Sequence, residues 1–269
     1  MKRVLSAIII LVLTIPMLIF SQSILLNLIV ALISAASLYE ALIVTKYVEN
    51  RQFIVCSLIM AVVVPFLGMS SARTIALLLF VFIVAMFVMI IVNIKTVHIE
   101  HISVIFMLSV IIPYFFSNIV AVRRSEPFGA YYIYLIFIAA WFTDTGAYLI
   151  GKLFGRHKLC PSVSPKKTVE GAIGGVIGSA LGFALFGWCV QTWFPVTVNF
   201  PILMATSVVA SVIAQIGDLS ASAIKRAFGV KDFGNLIPGH GGVLDRFDSV
   251  LFVAPFLRIV IEFIPFLSF

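Results

Sequence analysis

Long apolar runs separated by short polar gaps set the pattern of this 269-residue chain. They lie at Val4–Phe20, Ile24–Thr45, Phe53–Met69, Thr74–Ile94, Ile102–Val122, Ala130–Ile150, Gly171–Phe194, Pro201–Ala223 and Ser249–Leu267. Each is close to the roughly 20 residues that a helix needs to cross the hydrocarbon core of a bilayer. The alternating segments of about ten residues that mark a transmembrane β-barrel are absent. The pattern therefore predicts an all-α integral membrane protein with about nine transmembrane helices. The first run resembles a signal-peptide core followed by Ser21–Gln22–Ser23, but its length favours a retained helix. Two gaps are long and polar, Gly151–Glu170 and Ser222–Asp248.

Composition sharpens this reading. With 62% hydrophobic and 11% charged residues, a soluble domain is excluded. The formal charge of +7 is concentrated in the gaps, which points to a membrane surface and to charged nucleotides, not to nucleic acid. Lys2, Arg3, Lys46, Arg51, Lys95 and the cations of both long gaps fall on one side; Arg73, Arg123 and Arg124 fall on the other. The positive-inside rule then places the N-terminus in the cytoplasm and both polar gaps on the cytoplasmic face. Cys56, Cys160 and Cys189 show no paired spacing and read as packing residues. The chain divides into N-terminal helices, 1–128, and a C-terminal region, 129–269, with a polar, cytoplasm-facing active site.

Three constellations carry candidate chemistry. Asp144 sits inside the sixth run, where an ionised carboxylate costs about 2.5–3.5 kcal/mol unless it meets a wet cavity or a partner. The following gap ends in Ser164–Pro165–Lys166–Lys167–Thr168, with paired cations and a hydroxyl able to cap the next helix, as at phosphate-binding helix starts. Asp218, Ser222, Lys225 and Arg226 then fall at helical spacing on one face, a polar stripe leading out of the membrane. Beyond it come Lys231, His240, Gly241, Gly242, Asp245, Arg246 and Asp248. If a helix begins near Gly242, Asp245 and Asp248 point to one side of its first turns. Carboxylates without His or Cys sets favour Mg²⁺, and Mg²⁺ with several cations implies phosphoryl or nucleotidyl transfer. Glu40, near the cytoplasmic end of the second run, reads as a carboxylate reaching the interface.

The run from Ser222 through Lys225–Arg226, Lys231–Asp232, Pro238, His240–Gly241–Gly242 and Asp245–Arg246 to Asp248 resembles the signature of the phosphatidate cytidylyltransferase family. Trp141–Asp144–Tyr148–Gly151 and the Ser164–Gly171 stretch are similar to that family's preceding elements, in order. The resemblance implies transfer of CMP from CTP to phosphatidic acid, giving CDP-diacylglycerol and pyrophosphate; a short nine-span chain with no targeting extension suits a bacterial cytoplasmic (inner) membrane. It implies Asp218, Asp245 and Asp248 as metal ligands, with Mg²⁺ alone or beside a second cation. Together with Lys225 and Arg226 these form the expected catalytic set. Asp144, Ser164, Lys166, Lys167, Thr168, Ser222, Lys231, His240, Gly241, Gly242 and Arg246 form the expected substrate-binding set. CTP, phosphatidic acid and the bilayer are the expected partners, with a homodimer compatible. The rivals are a CTP-dependent transferase using another lipid phosphate or a polyprenol, and an ion-coupled transporter using Asp144 and Asp218.

Overall fold

The computed structural model describes residues 24–45, 51–67, 72–95, 98–234, 236 and 241–269. The predicted first span, Val4–Phe20, lies outside them. The elements are α1 (Ile24–Thr45), α2 (Arg51–Leu67), α3 (Ala72–Val92), α4 (Ile99–Arg123), α5 (Gly129–Phe154), β1 (Lys158–Cys160), β2 (Ser164–Thr168), α6 (Val169–Trp193), β3 (Thr197–Val198), α7 (Phe200–Ala227), α8 (Leu244–Phe263) and β4 (Leu267–Ser268). Six of the helices, α1 and α3 to α7, are long and apolar enough to cross a membrane. With 17 residues α2 is shorter, and α8 opens on Asp245, Arg246 and Asp248. The protein is thus an all-α membrane protein.

By packing, the described residues form two units. One joins those up to Arg124 with those of Val230–Arg246, and the other joins Ser125–Gly229 with Phe247–Phe269. In the first, α1, α2 and α4 pack on one another around Leu38, Leu42, Phe53, Met60, Ile105 and Phe116. Polar side chains tie these helices together. The Ser109 hydroxyl donates to Ser57 Oγ at 2.7 Å, and Asn27 Nδ2 donates to the Pro65 carbonyl at 2.7 Å. That carbonyl belongs to the last turn of α2, where no intrahelical donor remains. By contrast α3 leaves Leu77, Phe80, Phe87 and Ile91 exposed, a surface suited to lipid.

The second unit is built on the close approach of α5 and α6. A Cβ at Gly146 would run into the Gly174 carbonyl, and one at Gly174 would meet the Ile150 side chain. Small residues at such crossings let membrane helices pack backbone to backbone. Replacing Gly174 with Val should therefore lower the thermal unfolding midpoint in detergent, by overpacking worth about 1–3 kcal/mol. Ile177→Val, on the exposed face of α6, is the control. An unchanged midpoint for Gly174→Val would refute this account of the crossing.

Thr143 Oγ1 donates to Ser211 Oγ at 2.9 Å, joining α5 to α7. Gln215 Nε2 donates to the Ala172 carbonyl at 3.1 Å, joining α7 to α6. Asn199 caps α7 by accepting the Ile202 N–H at 3.3 Å. Strands β3 and β4 pair Val198 with Leu267, and the Tyr132 ring meets Phe266 edge-on at 5.1 Å.

Candidate functional site

The gap expected to be a loop, Gly151–Glu170, is mostly ordered secondary structure. Helix α5 runs on through Gly151 and Lys152 to Phe154, and β1 and β2 form an antiparallel hairpin. Gly151 lets Thr168 pack closely on the continuing helix, since a Cβ there would lie 3.1 Å from Thr168 Oγ1. Thr168 ends β2 and caps α6, its hydroxyl accepting the Gly171 N–H at 3.1 Å, as its sequence position predicts. Glu170, in the first turn of α6, accepts the backbone N–H groups of Arg156 (3.1 Å) and His157 (3.2 Å), and it contacts His157 Nδ1 at 2.6 Å. These bonds fix the hairpin to the start of α6. They also place both lysines of β2 beside the membrane-facing helices.

A cavity of about 310 Å³ opens there, lined by Asp144, Tyr148, Lys152, Lys166, Lys167, Thr168 and Gln215, among others. Asp144 faces this space, so the cost of a carboxylate inside an apolar helix is met by a cavity. Lys167 Nζ contacts Asp218 Oδ2 at 2.6 Å, which links the hairpin to α7. One turn along α7, Ser222 Oγ lies 3.4 Å from Asp218 Oδ1. Asp248, only 8% exposed, lies within electrostatic reach of Asp218, Asp144 and Lys225, and accepts the Ser249 N–H at 2.7 Å. Its backbone carbonyl packs on Gly217, where a Cβ would approach to 2.8 Å. Lys225 is buried, whereas exposed Arg226 donates through Nε to the Val163 carbonyl at 3.2 Å and so holds the hairpin turn. Ser164 lies at the other end of β2, opposite Cys160.

Asp144, Lys166, Lys167, Thr168, Asp218, Ser222, Lys225 and Asp248 are therefore gathered in the second unit. Lys231, Gly241, Gly242, Asp245 and Arg246 belong to the first. There Asp245 Oδ2 accepts the N–H groups of Phe233 at 2.8 Å and Gly242 at 2.9 Å. The turn runs through Gly241 at φ +83, in the left-handed region open to glycine. His240 lies outside the described residues. Among the described residues, no three His, Cys, Asp or Glu side chains form a group able to hold a metal ion by themselves.

Sequence reasoning missed Gln215, and it gave no role to Tyr148, which lies in the Trp141–Gly151 element, or to Lys152 in the polar gap. Gln215 carried a readable signal: a lone amide in an apolar helix, three residues before Asp218 and so on its face. Lys152 Nζ lies over the Tyr148 ring, 5.8 Å from its centroid.

The model of a family described as the cytidylyltransferase family matches residues 1–264. The chain is similar to a phosphatidate cytidylyltransferase of Staphylococcus epidermidis, 47% identical over 138 residues, 51% of each chain. It is also similar to that of Staphylococcus aureus, 48% identical over 138 residues, again 51% of each chain. For the Staphylococcus haemolyticus protein the figures are 47% over 133 residues, 49% of this chain and 50% of the relative. The chain spans about half the length of the curated relatives it matches.

Proposed function

The chain belongs to the cytidylyltransferase family, and from that premise we propose that it transfers CMP from CTP to phosphatidic acid, giving CDP-diacylglycerol and pyrophosphate. The observation that carries this reading is the 2.6 Å contact of Lys167 with Asp218. It joins a pair of cations on a hairpin, both lining one cavity, to the carboxylate of the polar stripe of α7. A phosphate-bearing nucleotide and a lipid phosphate need such a meeting of cations and carboxylates at a membrane boundary. The names of the relatives supply the choice of cytidine and of phosphatidate.

In the proposed reaction an oxygen of the lipid phosphate attacks the α-phosphorus of CTP. A new P–O bond forms there as the bond to the β-phosphate oxygen breaks, and pyrophosphate leaves in line. Lys167 holds the β- and γ-phosphates while exposed Lys166 adds positive charge beside it, and Lys225 receives the lipid phosphate. Arg226 keeps the hairpin against α7 through its bond to Val163. The phosphate monoester is itself the nucleophile, so the chain needs no strong general base and forms no covalent intermediate.

Mg²⁺ is usually held by one or two carboxylates plus substrate phosphates, not by a complete protein cage. Asp248, buried within electrostatic reach of Asp218, fits that use as one of two carboxylates, with substrate phosphates completing the set. Asp218 and Asp248 would hold the ion, and the sequence motif adds Asp245. When bound, the ion would neutralise charge on the phosphoryl oxygens. We place the N-terminus in the cytoplasm, the span number at nine, and the site at the cytoplasmic face of a bacterial cytoplasmic membrane. The C-terminal region, 129–269, is the catalytic half in this reading.

The test is a transfer assay on the purified protein in detergent micelles. It supplies phosphatidic acid, CTP labelled on the α-phosphate and Mg²⁺, with EDTA and polyprenol phosphate controls. Label entering the lipid phase only with phosphatidic acid, and lost in EDTA, is the expected result. Transfer to polyprenol phosphate alone would replace the acceptor, and no transfer from folded protein would refute the reaction.

A further inference from the structure

The second predicted span buries a carboxylate that neither the cavity nor the polar stripe of α7 uses. Glu40, in α1, is 4% exposed. Its sequence position suggested a carboxylate reaching the interface; in the fold it is covered by protein, and its Oε2 accepts the N–H of Leu244 at 3.1 Å. Leu244 is the first residue of α8, and the Val243 N–H lies beside the same carboxylate. A carboxylate among apolar helices is costly and persists where backbone or a partner satisfies it.

The surroundings are shaped to admit it. Gly234 and Gly242 lie so close to the Glu40 carboxylate that a Cβ at either position would collide with it. The first N–H groups of a helix have no intrahelical acceptor, and a negative charge there is favoured by the helix dipole. Ordinarily the residue just before the helix supplies the acceptor, but here that residue is Val243, which has none. The acceptor comes instead from 204 positions earlier in the chain. Asp245 closes the same segment from within through the N–H groups of Phe233 and Gly242.

We propose that Glu40 is a positioning residue for the transfer reaction: a remote N-cap that fixes where α8 begins and how the Gly241–Gly242 turn enters it. It touches no substrate. It acts by holding the helix whose first turns carry Asp245 and Asp248. The kinetic side of this inference rests on the proposed transfer reaction; the capping side does not.

The experiment compares E40A, E40Q and E40L in the full-length protein in micelles. It measures hydrogen exchange of the amides at 242–245 and, separately, kcat and KM for CTP. Gln retains an oxygen acceptor, while Leu fills similar volume without one. For E40A and E40L we expect exchange faster by about tenfold at the start of α8, about what losing a cap worth ~1.4 kcal/mol gives. We also expect kcat to fall by about tenfold with KM for CTP within about twofold, the mark of lost positioning, not lost binding. E40Q should return both readouts to within about threefold of the wild type. Protection in E40L equal to the wild type would show that packing suffices and would overturn the proposal. So would E40Q exchanging as fast as E40L, a comparison that stands even if E40A fails to insert. If the wild-type protein transfers no cytidylyl group, the reaction reading fails alone, and the exchange data still decide the cap.

Discussion

Asp218→Asn should lower cytidylyl transfer by about a hundred- to a thousandfold while leaving the protein inserted and folded. The two halves of that expectation have separate grounds. Asn keeps an oxygen where Ser222 Oγ lies 3.4 Å from Asp218 Oδ1, so the local turn of α7 is undisturbed. What it loses is the charge that faces Lys167 at 2.6 Å. Both side chains of that pair are about a quarter exposed, at 27% and 28%, and a pair so placed contributes at most about 1 kcal/mol to stability. Catalysis is more sensitive. Removing one group that meets charge developing in a transition state typically costs about 10²–10³ in rate. In Asp218→Asn the buried Asp248 also loses a neighbour with which it would share a cation. The check is label transfer to phosphatidic acid at saturating Mg²⁺, beside a thermal unfolding scan of the same preparation. Turnover within about threefold of the wild type would remove Asp218 from the reacting centre.

The features of this site that are local in sequence were legible before the structure. Thr168 as a cap needs only its place before an apolar run, and the Gly171 N–H bears it out. The stripe of Asp218, Ser222 and Lys225 needs only helical spacing, and α7 carries all three. What depended on distant partners was not legible. Ser164–Pro165–Lys166–Lys167–Thr168 has no β-propensity worth the name, yet it forms β2 because β1 pairs with it and Glu170 ties their ends. Glu40 looked like an interfacial carboxylate because its partner lies 204 residues away, and no periodicity reports such a contact. The polar stretch 222–248 read as one constellation. In the folded chain its beginning completes α7, while Val230–Arg246 packs with the N-terminal helices. A motif records which residues are present together, but packing decides which of them share a surface.

The two lysines of β2 offer the sharpest test of that distinction, because sequence alone treats them as equivalent. Successive side chains along a strand point to opposite faces, so Lys166 and Lys167 meet different surroundings. Lys166 is exposed, whereas Lys167 is half-buried against α7 and engages Asp218. An exposed charge acts through water and salt, which screen it within about 8–10 Å at physiological ionic strength. A charge-assisted hydrogen bond from an ammonium held as Lys167 is to a phosphate of CTP contributes about 1.5–3 kcal/mol, roughly tenfold to somewhat over a hundredfold in rate. Lys167→Met should therefore lower kcat/KM for CTP by up to about a hundredfold, and the loss should persist when salt is raised. Lys166→Met should cost no more than about fivefold, and that difference should fade with salt as the wild type loses the same long-range attraction. Lys167→Arg should not restore full activity, since a planar guanidinium cannot reproduce the point contact of an ammonium with Asp218. The measurement is kcat/KM for CTP at low and high ionic strength for the three variants. Equal, equally salt-sensitive losses in Lys166→Met and Lys167→Met would show that the hairpin contributes only a diffuse positive field. The 2.6 Å contact with Asp218 would then have no specific part in the reaction.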